Sequence, residues 1–324
     1  MREYEGVQYI GDPHASSRRP GRRKDDFAAS VLAKLAECAE KSHELKLKTV
    51  ILGDLFHSAG ENDLTLLNRL ARVLRSFYSP VHIVVGNHDK GRFNLSDGDA
   101  LTFIFESGAA IPLGVDMVDV QGVSVRIVGV GHGDPLPNSV EREGADVVNL
   151  VTHHDLAFGS AYPGALPLTE IPGVDFVVNG HMHDTKPSVI KGSTVWHNPG
   201  NIEPLSIDLR DHVPAFWVWT PSSEGHKLSQ HVLKHDSDCF DLTGLVVEAT
   251  DAVEAVEALP APSTPGEFAT QLAAEDVLAA EKTDDANVLA EDLQVVLSSA
   301  GVSEATALLM SKLMERVQLK AASA

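Results

Sequence analysis

The chain has 324 residues, 43% of them hydrophobic, and carries 46 Asp+Glu against 26 Lys+Arg for a formal charge of −20. That length and apolar content suit one large domain and a smaller one. No run approaches the roughly 18 apolar residues of a bilayer helix, and Cys38 and Cys239 alone exclude a disulfide framework.

Residues 1–11 lack the apolar stretch of a secretion signal, so a cytoplasmic protein without a membrane partner is expected. In chain order, residues 7–10 read as a buried strand that runs into Asp12-Pro13-His14. Residues 25–44 place Phe27, Val31, Leu32 and Leu35 on one helical face. A second strand at 49–52 ends on Gly53-Asp54. Asn62 or Asp63 can cap a helix whose apolar face holds Leu64, Leu67, Leu70, Val73 and Leu74. The strand at 81–85 leads into Gly86-Asn87-His88-Asp89. Val118, Val120, Val123, Val125 and Ile127 alternate around Gln121-Gly122, which predicts a hairpin. Strands at 147–151 and 176–178 precede Thr152-His153-His154 and Gly180-His181-Met182-His183. Further strands are expected at 194–197, 205–209 and 215–220. Strand–helix alternation in the first half implies an α/β core.

Composition shifts near residue 239, which divides the chain into a large domain at 1–238 that bears all the turn phrases and a small α+β appendage at 239–324. The appendage reads as a strand at 241–249, a Pro-rich linker at 260–266 and acidic helices at 268–278, 287–298 and 304–317.

The five turn phrases share a chemistry. Each follows an apolar run, and together they supply carboxylate, imidazole and amide oxygen, the donors that suit Mn, Fe or Zn. Asp12 and His14 alternate on an extended segment, as do His181 and His183, so each pair projects to one side. Asn87 offers an amide oxygen, and His88 stands beside Asp89, a carboxylate able to orient its ring. A metal pair roughly 3.5–4 Å apart is suited to phosphoester cleavage. Close to the first phrase, Arg18, Arg19, Arg22, Arg23 and Lys24 crowd one loop, a pattern suited to nucleic-acid backbone phosphates.

The ordered set D-x-H, G-D, G-N-H-D, H, G-H-x-H resembles the calcineurin-like metallophosphoesterase superfamily over about residues 7–200. The resemblance implies a two-layer α/β metallophosphoesterase β-sandwich flanked by helices. It implies one ion held by Asp12, His14 and His183, another by Asn87, His153 and His181, and Asp54 as the bridge. It favours His153 over the adjacent His154. Manganese is the expected metal, with iron, zinc or magnesium as alternatives. His88 is then the general acid, held by Asp89.

Within the superfamily, Gly53-Asp54-Leu55-Phe56-His57 and Asn198-Pro199-Gly200 resemble the SbcD-type nucleases of double-strand-break repair. That likeness implies a DNA exo- and endonuclease, His57 near the substrate phosphates, a cap after the catalytic domain, helices that bind an SbcC-type coiled-coil ATPase, and a possible homodimer. Lys90 departs from the family pattern, which often has an acid there. A general phosphodiesterase or phosphatase acting on small or protein-borne phosphoesters is the alternative, and a non-catalytic scaffold on the same fold the third reading.

Overall fold

The computed structural model of the protein describes residues 3–159, 164–223 and 225–243. The chain divides into two units, Met1–Leu245 and Val246–Ala324, and every described residue belongs to the first. The expected strand at 241–249 beyond residue 243, the linker and the three acidic helices lie outside the described residues.

Two sheets face each other. The first, in spatial order, comprises β13 (Gly225–Val232), β12 (Ala215–Ser222), β2 (Gly6–Ile10), β3 (Leu47–Ile51), β4 (His82–Ile83) and β5 (Ile111–Pro112). The second comprises β1 (Glu3–Tyr4), β6 (Val115–Val120), β7 (Val123–Val130), β8 (Val147–Thr152), β9 (Phe176–Asn179), β11 (Thr194–Asn198) and β10 (Lys186–Lys191). Strands β2, β3 and β4 are parallel neighbours in one sheet, and β7, β8, β9 and β11 are parallel neighbours in the other. Strands of this kind, buried on both faces, read as continuous apolar runs. β2, β3, β8 and β9 are legible from their Val, Ile, Leu and Phe content, although buried Gln8, Lys48, Thr49 and Asn149 interrupt the runs.

Between the sheets lies one apolar layer. Val7, Tyr9, Val50 and Leu52 from the first sheet meet Val125, Ile127, Val151, Phe176 and Val178 from the second. On the outer face of the first sheet, α1 (Phe27–Glu44), α2 (Leu64–Arg75) and α3 (Ala100–Glu106) pack through Val31, Leu35, Leu67, Leu70, Leu101 and Ile104. Asp26 caps α1 by accepting from the Ala29 amide at 3.1 Å, and Asp63 caps α2 by accepting from the Leu66 amide at 2.8 Å. The outer face of the second sheet is covered by loop residues Leu156, Leu168 and Ile171 with Trp196. Among the described residues the flanking helices therefore lie on one side only.

The hairpin forms as read, with Val118 opposite Val125 and Gln121 and Gly122 in the turn at positive φ. The segment expected as a strand at 205–209 instead makes a 3₁₀ turn, Ile207–Leu209. Ser206 and Asp208 interrupt the apolar run with residues that bond their own backbone and favour such turns.

Candidate metal centre

Every expected ligand lies just past the carboxyl end of a parallel strand, and these ends meet at one rim of the sandwich. Asp12 and His14 follow β2, Asp54 follows β3, and Asn87 lies beyond β4. From the other sheet, His153 follows β8, and His181 and His183 follow β9. Ligand sites in open α/β sheets form at this end.

Three groups of potential ligand atoms form among the described residues; one is His14, His57 and His88, and the other two have Asp54 in common. His14, Asp54 and His183 make one, and Asp54, His153 and His181 the other, all atoms of a cluster lying within 4.8 Å of one another. His14 Nε2 stands 2.9 Å from His183 Nε2 and 3.8 Å from Asp54 Oδ2. His153 Nε2 lies 3.2 Å from the same Asp54 Oδ2. Asn87 Oδ1 sits 3.1 Å from His153 Nε2 and 3.0 Å from His181 Nδ1. Asp12 Oδ1 is 3.7 Å from His153 Nδ1. His154 turns away, its Nε2 bonded to the Asp134 carbonyl at 2.7 Å.

The local backbone is built for this convergence. His14, Asp54 and His181 all have positive φ (48°, 45° and 69°). Non-glycine residues avoid that region, and strain of order 1–3 kcal/mol at each is retained where surrounding structure enforces it, commonly at functional sites. Gly86 and Gly180 allow close approach. A methyl at Gly86 would fall 2.0 Å from Asp54 Oδ1, and one at Gly180 2.7 Å from Asp12 Oδ1 and 2.8 Å from His153 Nδ1. Gly53 combines φ of +113° with a virtual Cβ 2.3 Å from His153 Nδ1.

The donor set fits divalent cations. Both carboxylate oxygens of Asp12 are buried without a hydrogen-bond partner, as is Asp54 Oδ2 by hydrogen-bond geometry. Leaving a buried charge uncompensated costs several kcal/mol, so a fold that keeps two such carboxylates side by side is arranged for positive charge. Burial pushes Asp12 up to about 7. Burial also works against ionised Asp54, but His153 outweighs it and holds the carboxyl well below the usual range. Burial drives His14 well down and His183 to about 4, the neutral state a metal ligand needs. Burial opposes the charged form of His153 too, but Asp54 and Asp12 overcome it and raise that imidazole to about 9.

Other residues hold or border the donors. His153 Nδ1 faces the Leu52 carbonyl at 2.8 Å, which directs Nε2 to the cluster. Asp89 differs from its expected role. Its carboxylate accepts from the Gly86 and Phe56 amides at 2.9 and 3.1 Å, so it fixes the turn, and the His57 carbonyl accepts from His88 Nδ1 at 2.9 Å. A buried carboxylate is worth most to unpaired amides within a tight turn, and here those amides claim both oxygens. The His57 ring stacks on that of His88, centroids 5.6 Å apart.

Arg18, Arg19 and Arg22 are exposed. Arg23, expected to contact phosphates, is instead buried and joined to Glu203 at 2.6 Å and Asp25 at 2.6 Å. Three residues went unrecognised in the sequence. Asn179 accepts from the His154 amide at 3.0 Å and donates to Asn198 Oδ1 at 3.1 Å. Asn198 donates to the carbonyls of Met182 and Asp184 at 2.7 and 2.8 Å, which sets the His-Met-His turn. His132 brings its ring within 5.7 Å of that of His181. Asn179 directly precedes Gly180, and the Asn198-Pro199-Gly200 turn was noted, but neither amide carried a signal of its role.

The sequence profile described as calcineurin-like phosphoesterase matches residues 9–185. No curated protein matches. Among solved structures, the chain is similar to an archaeal phosphodiesterase at 14% identity, covering 70% of this chain and 99% of that one with a TM-score of 0.35. It is similar to a 5'-nucleotidase precursor from Thermus thermophilus at 13% identity, covering 70% and 54% with a TM-score of 0.45. Vacuolar Protein Sorting 29 from Cryptosporidium parvum matches at 14% identity over 71% and 97%, with a TM-score of 0.31. With a family profile spanning more than half of the chain, and the two donor clusters within or at the end of that span, this protein belongs to the calcineurin-like phosphoesterase family.

Proposed function

We propose that the chain hydrolyses phosphodiesters at a two-cation centre, with DNA as its substrate in the manner of an SbcD-type nuclease. The observation that carries the hydrolytic reading is Asp54, one buried carboxylate common to two clusters of imidazoles. Asp12, His14 and His183 would hold one ion with Asp54, and Asn87, His153 and His181 the other. When bound, two divalent ions, manganese first and iron, zinc or magnesium also suited, supply Lewis acidity and an activated water.

The protein's own groups do the rest. His88 is half-buried at the rim, and its Nδ1 donates to the His57 carbonyl. That bond keeps Nδ1 protonated, so the doubly protonated imidazolium is the form whose Nε2 gives a proton to the departing oxygen, leaving the neutral Nδ1–H ring. Asp89 keeps the turn that carries His88 in place through the Gly86 and Phe56 amides. His57, packed on His88 and buried, supports the nuclease reading because it lies beside the proton donor. Residues 239–324 are proposed to bind an SbcC-type ATPase, which co-purification of the two chains would test.

A second reading, hydrolysis of small or protein-borne phosphoesters, is favoured by the charge of −20 and by the burial of Arg23, which removes one cation from the supposed DNA-binding loop. Digestion of end-labelled linear duplex with Mn separates the two. Release of nucleotides that His88→Asn abolishes is expected. Activity confined to small esters would assign the second reading instead.

A further inference from the structure

Beside the centre runs a strip of groups that the hydrolytic mechanism does not use. His132 sits with its ring 5.7 Å from that of His181 and 6.2 Å from that of His153. The Lys90 ammonium donates to the His132 carbonyl at 2.6 Å and lies 5.7 Å from the centroid of the Phe93 ring. Phe93 is 77% exposed, among the most exposed large apolar side chains described. Arg92 adds a cation next to it in the chain.

The loop carrying Phe93 is anchored. Asp99 accepts from the Gly91 amide at 3.0 Å and the Ser96 amide at 2.7 Å, and the Ala100 amide donates to the Ala59 carbonyl at 2.7 Å. Gly133 lies against the same groups, its virtual Cβ at ordinary contact distance, 3.6 Å from Lys90 Nζ and 4.0 Å from Phe93 Cε2. A single exposed aromatic side chain is ordinary on a protein surface; what sets Phe93 apart is its place beside the Lys90 ammonium and near the His132 loop. A lysine beside it, bonded to the backbone of His132, whose ring lies 5.7 Å from that of His181, selects an occupant that is flat and attached to negative charge.

We propose that Phe93, Lys90 and His132 form a subsite for the nucleoside neighbouring the scissile phosphate, with the base stacked on Phe93 and the phosphate charge toward Lys90. This rests on the phosphodiesterase reading and names the residues that would seat the base of a nucleotide-bearing ester. Stacking on an aromatic side chain serves any base, so the subsite confers preference for nucleotides over alkyl esters without sequence choice. Lys90, a departure from the family's usual acid at this position, thus supplies the charge the subsite needs.

Two substrates with one leaving group test it. Thymidine 5'-(p-nitrophenyl phosphate) and ethyl p-nitrophenyl phosphate are hydrolysed by the Mn-loaded full chain, wild type and Phe93→Ala. The expected result is a KM rise of roughly 5- to 150-fold for the thymidine ester only, with recovery in Phe93→Trp. Equal losses on both esters, or no change on either, overturn the subsite. A second measurement needs no turnover. Anisotropy of a labelled oligothymidylate without added metal should show weaker binding to Phe93→Ala, and wild-type binding no tighter than to an abasic strand overturns the proposal. If neither ester is cleaved yet Phe93→Ala still weakens base binding, the hydrolytic reading falls and the subsite stands.

Discussion

Replacing Gly86 with Ala is a severe test of the shared carboxylate. The added methyl would lie 2.0 Å from Asp54 Oδ1 and 2.4 Å from the Asp54 amide nitrogen, where contacts below 3.0 Å essentially do not occur. The carboxylate must therefore give way by about 1 Å, and it loses the 2.9 Å bond it accepts from the His88 amide. A displacement of that size near reacting groups costs on the order of 10²-fold in rate. Overpacking costs about 1–3 kcal/mol, or about 2–12 °C in Tm at this domain size, so the variant stays folded at 25 °C. Metal analysis of the dialysed protein should find fewer than two ions per chain, and hydrolysis should fall by about 10² or more. Gly60→Ala is the control, since nothing lies within 4 Å of its virtual Cβ. Two tightly held ions and an unchanged rate in Gly86→Ala would refute the claim that Asp54 joins the clusters.

His153→Ala should lose an ion, whereas His154→Ala should keep both, because only His153 faces Asp54; inductively coupled plasma analysis reads the difference directly. Substituting His88 by Asn should preserve metal content while lowering kcat by about 10²–10⁴, and a variant that instead loses metal would place His88 among the ligands. Glu203→Gln should lower stability by about 3–5 kcal/mol, because Glu203 holds buried Arg23 at 2.6 Å and Lys34 at 2.7 Å; an unchanged Tm would mean the network contributes nothing. The last prediction concerns acid. Burial lowers the His197 imidazole from 6.5 to about 4. The folded value lies below the unfolded one, so this contribution is complete above about pH 6.5 and lost as pH falls toward 4, about 3 kcal/mol in all. Urea titrations across that window should show the decline, and His197→Asn should make it shallower.

How far the sequence speaks depends on which physical signal an element carries. Strands buried on both faces, such as β2, β3, β8 and β9, announce themselves through Val, Ile, Leu and Phe despite Gln8, Lys48, Thr49 and Asn149 within them, and a ligand turn follows each. Strand β13 holds only half-buried and exposed residues, Gly225, His226 and Lys227 among them, at the sheet edge, and its mixture of polar types hides the pattern. Strand β10 is mostly exposed and leaves even less to read. In the centre, residue type revealed the donors because carboxylates and imidazoles are scarce directly after apolar runs. Which group orients which cannot be read from adjacency. Asp89 and His88 are neighbours in the chain, yet the carboxylate serves backbone amides and a carbonyl of another turn holds the ring. The Arg-rich loop misled for a similar reason. Charge density gave no hint that Glu203, 180 residues further on, would draw Arg23 inward.

The order in which the donors occur along the chain has a consequence for biosynthesis. Each of the two clusters that share Asp54 is closed by a residue of the Gly180-His181-Met182-His183 turn, one by His183 and the other by His181. A growing polypeptide that has released β2, β3 and β8 from the ribosome therefore still lacks both complete sites. Strands β10 to β13 follow that turn in the chain, so the two groups of side chains that share Asp54 are complete in the polypeptide before the sandwich that holds them is.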